Sequence, residues 1–207
     1  MSKYARIFMF GLMVVAAGAS QANAQGQFDF FGPHPWVGSW FGYAEQLCAT
    51  GDNTCPQVAL FMTPTLVSDG NFLGNDSLTL GGPPFGPHTT AHGQWVATGP
   101  QSFIADYVFM LPGTAANNVT ALRFRWSATV ISPSQMQGYV NIYFGPEMPI
   151  AWTNLPSSQF PTIPTAQQFF LTPQPAFYTD PSKCSGGPAN GCPFIFKFSI
   201  GRVAPQG

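Results

Sequence analysis

Alternation of apolar and polar residues is the main structural signal along this chain. In the clearest stretch, Leu122, Phe124 and Trp126 alternate with Arg123 and Arg125. Because successive side chains of a β-strand point to opposite faces, one face of this stretch is predicted to lie in a core and the other in solvent.

Seven further segments, rich in aromatic and β-branched residues, also have the character of strands, and helical periodicity is almost absent. Short turns such as Asp69-Gly70 join most of them, as expected of successive antiparallel hairpins. The eight predicted strands cover residues 36–46, 57–67, 71–80, 92–98, 102–110, 121–131, 135–144 and 194–203.

The predicted fold class is all-β. Eight meandering strands with one apolar face each can pack as a sandwich or close into a barrel, and closure removes exposed strand edges. We therefore expect an eight-stranded, antiparallel, up-and-down barrel.

A long Pro-rich insertion, residues 145–193, precedes the last predicted strand and contains ten prolines. Proline cannot donate to a strand ladder, but aromatic residues such as Trp152 and Phe169 favour burial. We expect an ordered loop packed over the domain; a disordered linker is the alternative. A Gly/Pro-rich stretch, residues 81–87, is predicted to form a flexible flap.

The first residues have the organisation of a secretory signal peptide. Lys3 and Arg6 precede an apolar run that ends at the small-residue motif Ala22-Asn23-Ala24. The run is about half of the roughly 20 residues that a membrane-spanning helix needs, although a retained signal anchor is an alternative. We expect a signal peptide over residues 1–24, one barrel domain over residues 25–207, no membrane span after cleavage, and a secreted or periplasmic location.

The charged residues of the chain exclude one class of binding partner. Without the signal peptide the chain has five basic and eight acidic residues, a net charge of about −3. Nucleic-acid binding requires clustered Lys and Arg that displace counterions from phosphates, so no nucleic-acid partner is expected. No feature of the sequence indicates an oligomeric state.

The four cysteines form two close pairs, Cys48 with Cys55 and Cys184 with Cys192. In an oxidising compartment two local disulfides are the simplest interpretation. A metal site is the alternative, but neither spacing matches a zinc motif and no His lies nearby. Phosphate-binding loops and common hydrolase motifs are missing from the sequence, so neither a metal nor another cofactor is expected.

Several short motifs occur in a characteristic order: Gly38-Ser39-Trp40, then the turn at residues 66–72, then His92-Gly93-Gln94-Trp95, then Gly201-Arg202. In this order they resemble small bacterial lipocalin-like (calycin-type) β-barrel proteins. The resemblance implies that Trp40 packs across the closed end of the barrel with Arg202 over its ring. The chain departs from true lipocalins by its insertion and by the lack of an evident C-terminal helix.

The resemblance also implies a cavity, because an eight-stranded barrel is wide enough to hold one small ligand. An aromatic lining would suit a small apolar or aromatic molecule, whereas rings that simply fill the core are the alternative. The side chains predicted to point inward and line the site are Trp95, Phe103, Tyr107, Phe109, Leu122, Phe124 and Trp126.

Catalytic residues are less clearly indicated. His88 and His92 are four residues apart, and with a carboxylate from Asp76 or Asp106 they could form an acid–base or metal site. The alternative is that His92 begins a strand and His88 lies in a solvated loop.

Three hypotheses follow. The leading one is a carrier of a small apolar molecule. The others are a barrel enzyme of the cyclase or isomerase type, with His or carboxylate groups in its cavity, and a surface-interaction protein that acts through the Pro-rich insertion.

Overall fold

The computed structural model describes residues 34–49, 51–53, 55, 58–77, 87–114, 118–149, 177–184 and 192–204. The chain divides into two units, Met1–His34 and Pro35–Gly207, and all of its strands belong to the second. The predicted signal peptide, most of the predicted Pro-rich insertion and most of the predicted flap lie outside the described residues.

All eight predicted strands are present, and the second of them is divided into two shorter ones. In β6 and β7 buried and less buried positions alternate, as the sequence predicts. Some outward positions are nevertheless apolar, such as Phe41 and Phe61, which are exposed. The third predicted strand ends earlier than expected, at Gly74. The strands are β1 (Gly38–Gln46), β2 (Ala59–Met62), β3 (Thr65–Leu66), β4 (Asn71–Gly74), β5 (Ala91–Gly99), β6 (Ser102–Pro112), β7 (Asn118–Ser132), β8 (Gln135–Pro149) and β9 (Phe194–Arg202).

The sheet is antiparallel and closes on itself. From β3 to β9 each strand pairs with the next along the chain, and β9 returns to pair with β1, so that Trp40 lies opposite Arg202. This closure confirms the predicted all-β, up-and-down barrel.

Pro64 explains why the second predicted strand appears as two. Both β2 and β3 pair with β1 in one continuous register, with Gly42 opposite Met62 and Gly38 opposite Leu66. Proline has no backbone N–H to donate, which interrupts the ladder at this position. Together β2 and β3 occupy the place of one strand in the eight-stranded barrel.

One end of the barrel, which we call the sealed end, is closed by Trp40 and Arg202. The guanidinium of Arg202 lies 4.5 Å from the centre of the Trp40 ring. It also donates hydrogen bonds to the carbonyl oxygens of Val37 and Pro133, at 2.8 Å each, and to that of Pro35. The cation is therefore held by the ring and by backbone oxygens at once.

Further rings complete the sealed end. Trp40 donates its indole N–H to the carbonyl of Trp36 at 2.8 Å. The Trp36 ring packs against Trp95 and Phe103, with ring centres 5.5 and 5.3 Å away. Trp95 donates to the Val67 carbonyl at 2.9 Å, so the indole N–H groups of Trp40 and Trp95 are satisfied by backbone oxygens.

The opposite end, which we call the cavity end, has long connections and both disulfides. Cys48 is bonded to Cys55 in the connection between β1 and β2, and Cys184 is bonded to Cys192 just before β9. The two predicted disulfides are thus confirmed. Each closes a local loop and constrains the unfolded chain.

The strand β8 continues past the predicted start of the insertion at residue 145. Its last residues pair with the start of β7 after a register shift, with Glu147 opposite Thr120 and Phe144 opposite Leu122. A bulge at this point accommodates Pro146, which cannot donate to the ladder.

A later part of the predicted insertion, residues 177–184, includes a short 3-10 helix, Pro181–Lys183, and is attached to the outer face of β8. The side chain of Asn141 is fully buried there. Its amide donates to the carbonyl of Tyr178 and accepts from the N–H of Tyr178, both at 2.7 Å. The asparagine side chain thereby replaces a backbone peptide group as the hydrogen-bond partner of this segment.

No helix in the described ranges is long and apolar enough to cross a membrane. Two disulfides are typical of proteins that function outside the reducing cytoplasm.

Candidate functional site at the cavity end of the barrel

The seven side chains predicted to line a cavity all point into the barrel and are buried, but they form two separate groups. Trp95 and Phe103 belong to the sealed end. Tyr107, Phe124 and Trp126 pack against one another further along the barrel axis. Only this second group, with its neighbours Phe72, Phe109 and Leu122, is near the cavity end.

The second group forms a dense cluster of rings. Phe72 is stacked on Tyr107 with ring centres 4.5 Å apart, and Tyr107 lies 5.1 Å from Phe124. Phe109 meets Phe124 edge-on at 4.5 Å. These rings occupy the barrel interior at this level, which is the arrangement that we considered as the alternative to an open cavity.

The position of Tyr107 depends on Gly93. The two residues are opposite each other in β5 and β6, and a Cβ atom at position 93 would overlap the Cα and Cβ atoms of Tyr107. A glycine is therefore required for the tyrosine to lie this close to β5.

A small cavity remains above the ring cluster, between the strands β2 to β4 and the strands β6 and β7. Its volume of ≈ 10 Å³ is about that needed by one water molecule. Asn75, Asp76 and Tyr107 are the lining residues that carry polar side-chain groups. The apolar wall consists of Met62, Pro64, Phe72, Gly74, Phe109 and Trp126.

The Tyr107 hydroxyl accepts a hydrogen bond from the indole N–H of Trp126. Burial raises the pKa of Tyr107 well above its ordinary value; the hydrogen bond from Trp126 opposes this, and the charge of Asp76 adds to it. The hydroxyl therefore stays protonated throughout the physiological range and is available as a neutral hydrogen-bond donor.

Asp76 and His88 form a buried pair beside the same cavity. The Nε2 atom of His88 lies 2.8 Å from Oδ1 of Asp76, and their side chains are 2 % and 6 % exposed. The ring of His88 also packs 4.2 Å from that of Phe109. The structure thus combines His88 with one of the two carboxylates considered from the sequence.

Both ring nitrogens of His88 face oxygen atoms, an arrangement that favours the doubly protonated ring. Nδ1 of His88 lies 2.8 Å from the Thr89 carbonyl oxygen, which can only accept, so Nδ1 carries a hydrogen. In the neutral ring Nε2 would then direct its lone pair at the Asp76 carboxylate. A proton on Nε2, as in the imidazolium form, removes this repulsion.

The pKa of His88 reflects the same balance. Burial alone would lower the pKa of His88, but the hydrogen bonds to Asp76 and to the Thr89 carbonyl and the charge of Asp76 together raise it above 6.5. The imidazolium form is therefore favoured to a higher pH than in an unfolded chain.

The other two candidates, His92 and Asp106, lie on the outer face of the barrel. His92 is exposed in β5, and Asp106 is paired with Arg123 at 3.2 Å and with Arg125 at 4.0 Å. Each directly precedes an inward position, and alternation along a strand sends neighbouring side chains to opposite faces. Neither is close to the pair of Asp76 and His88.

Two important residues, Phe72 and Met62, were not among the predicted site residues. Phe72 is the second residue of β4 and follows the tight turn at Asp69 and Gly70, whose φ of 91° requires a glycine. Its alternation with exposed neighbours marks it as inward, and this signal could have placed it in the site. Met62 could have been assigned to the site only if the pairing of Met62, in β2, with Asp76 had been known.

No protein-family model matches the chain, and neither the curated proteins nor the solved structures include a match. Among the residues that the structure describes, no group of three or more His, Cys, Asp or Glu side chains could hold a metal ion.

Proposed function

We propose that this protein is an extracytoplasmic, lipocalin-like barrel that binds a small apolar or aromatic molecule at its cavity end. The observation that carries the proposal is the combination of aromatic rings with a few buried polar groups around one cavity. Such a mixture of apolar walls and a small number of directed polar groups is typical of small-molecule sites.

The difference between the barrel ends supports this location. At the sealed end the indole N–H groups of Trp40 and Trp95 and the Arg202 guanidinium are held by backbone carbonyls. At the cavity end, the buried side chains of Tyr107 and Asp76, the latter hydrogen-bonded to His88, border a small cavity. A ligand is therefore expected to enter from the cavity end.

The cavity must enlarge to accept a ligand bigger than water. Met62 is the side chain in its wall that can move most easily, because it is unbranched and has several rotatable bonds. Binding is expected to displace Met62 while the ring cluster around Tyr107 stays as the floor.

A barrel enzyme of the cyclase or isomerase type is a second candidate. It is favoured by the pair of Asp76 and His88, in which the pKa of His88 is raised, and by the neutral donor Tyr107, which lines the same cavity as Asp76. A proton carrier and a hydrogen-bond donor on one cavity wall are the groups that general acid–base chemistry requires.

Titration with N-phenyl-1-naphthylamine, an uncharged apolar fluorophore, tests the binding function. We expect saturable one-to-one binding with a Kd of about 1 μM, equivalent to about −8 kcal/mol, and quenching of the emission of Trp126. The absence of saturable binding by folded protein would contradict the proposal.

Two neighbouring substitutions locate the probe. Met62 lines the cavity and is 6 % exposed, whereas Phe61 points outward and is 57 % exposed. We expect Met62→Glu to weaken binding at least about tenfold, because a buried charge is unfavourable, and Phe61→Glu to leave it nearly unchanged. Equal effects of both substitutions would place the probe outside the barrel.

A further inference from the structure

The hydroxyl of Tyr107 is an incompletely used hydrogen-bonding group in the barrel interior. The residue is only 4 % exposed, and its oxygen already accepts from Trp126. The indole N–H can only donate, so the phenolic hydrogen must be directed elsewhere. Within the described part of the chain, no side chain or carbonyl accepts that hydrogen.

This arrangement is unusual, because buried donors are nearly always matched by acceptors. Tyr107 and its hydrogen-bond partner Trp126 both line the water-sized cavity. The space that these two residues border is therefore where an acceptor for the phenolic hydrogen would fit. Apart from Asn75 and Asp76, the other lining residues are apolar and include Phe72, Phe109 and Trp126.

The electrostatics of the cavity favour an uncharged oxygen. Asp76 lines the same space, and its charge acts on Tyr107 strongly enough to contribute to the raised pKa of that tyrosine. A ligand carboxylate would lie beside the Asp76 carboxylate, and none of the described residues that line the cavity is cationic, so its loss of hydration would not be compensated there. A carbonyl oxygen accepts a hydrogen bond without bringing a charge.

We infer that the ligand is an apolar or aromatic molecule with a carbonyl oxygen, and that this oxygen accepts the hydrogen bond of Tyr107. The inference rests on the proposed binding function and names the class of ligand. Hydrogen bonding to the carbonyl orients the ligand, while its apolar part contacts the ring cluster.

Two naphthalene probes of nearly equal shape test the inference: 2-acetylnaphthalene, which has a carbonyl, and 2-isopropenylnaphthalene, in which a methylene group replaces the oxygen. We expect the wild type to bind the ketone about tenfold more tightly, as one added hydrogen bond permits. We expect Tyr107→Phe to remove this preference and still bind the hydrocarbon.

Tyr143→Phe is the matched control. Tyr143 is also buried, but its hydroxyl donates to Asn141 on the outer face of β8, so its removal should leave the preference for the ketone intact. Infrared spectroscopy gives a second readout, because the carbonyl stretch of the bound ketone should shift to lower wavenumber in the wild type. This measurement does not depend on whether Tyr107→Phe folds.

The outcomes separate the two proposals. If both probes bind the wild type equally and the carbonyl stretch does not shift, the inference is overturned and the binding function stands. If 2-naphthoate, the carboxylate analogue, binds more tightly than the ketone, the argument from Asp76 is wrong and the inference fails. If no probe binds folded protein, the proposed function fails and the inference with it.

Discussion

The sealed end and the cavity end of the barrel are built from the same strands, but they satisfy their buried polar groups differently. At the sealed end, Trp40, Trp95 and Arg202 donate to backbone carbonyls. At the cavity end, Asp76 and His88 are hydrogen-bonded to each other. Polar groups bound to the backbone fix one arrangement, whereas groups that exchange protons can respond to pH and to a ligand.

The connections between strands also differ between the two ends of the barrel. At the sealed end β3 is joined to β4, and β7 to β8, by turns of a few residues. At the cavity end the long connections carry both disulfides, and the segment that precedes the second disulfide is held by Asn141. Binding residues occur preferentially on such connections when a rigid scaffold positions them.

The largest expected effect concerns the sealed end. Trp40→Ala should lower the free energy of unfolding by about 3 to 5 kcal/mol, because it removes a fully buried ring together with the hydrogen bond to Trp36. Denaturant unfolding measures this change. The neighbour Phe41 is 52 % exposed, and Phe41→Ala should change stability by about 0.5 kcal/mol or less.

Arg202→Ala extends the same test. It removes the cation from the Trp40 ring and leaves the carbonyls of Val37 and Pro133 without this donor, but it deletes less apolar surface than Trp40→Ala. We expect a loss of stability smaller than that of Trp40→Ala. A nearly neutral Trp40→Ala variant would show that the rings do not seal this end.

An intermediate effect is expected at the cavity end. Replacing Cys48 and Cys55 together by Ala should cost about 2.5 kcal/mol of stability, the chain-entropy contribution of so short a loop. The double substitution of Cys184 and Cys192 should cost a similar amount, because the two loops span 7 and 8 positions. Melting temperatures with and without reductant check both values, and a reduced wild type as stable as the oxidised one would contradict them.

The smallest effect is a pH dependence that arises from His88. Because its pKa is raised on folding, the folded state binds this proton more tightly than the unfolded chain. The stabilisation is full below about pH 6.5, the ordinary histidine pKa, and is lost as the pH rises through the raised value. The stability difference between the wild type and His88→Gln should therefore shrink from about pH 5 to pH 9.

His92→Gln is the control for this measurement, because His92 is exposed on the outer face of β5. Its stability should follow that of the wild type at every pH. A constant difference between wild type and His88→Gln across the pH range would show that the pair of Asp76 and His88 binds no additional proton on folding.

Alternation along the strands predicted the strands and the faces of their residues, and the removal of exposed edges by closure favoured a barrel over a sandwich. It assigns Phe124 to the interior and Arg125 to the exterior, and it also implies that Asp106, next to the inward Tyr107, points outward. The same rule could have removed Asp106 from the list of candidate catalytic residues. Local spacing was enough to pair the cysteines.

The position of each inward side chain along the barrel axis could not be predicted from alternation. Phe103 and Phe109 are on the same face of β6, yet one contacts Trp36 at the sealed end and the other contacts His88 at the cavity end. Depth depends on the register between strands and on the bulges that shift it. The position of Met62 beside Asp76 likewise follows from pairing across the sheet.

The pairing of β1 with β9 has a kinetic consequence. Trp40 and its partner Arg202 are at opposite ends of the barrel sequence, so the first strand cannot complete its ladder until the last one has been synthesised. Contacts between such distant residues slow folding, and during the delay the edges of β1 and β8 stay open to other chains. We therefore expect aggregation during refolding to depend on how quickly β9 docks, and separately added peptides with the sequence of β9 to compete for that edge.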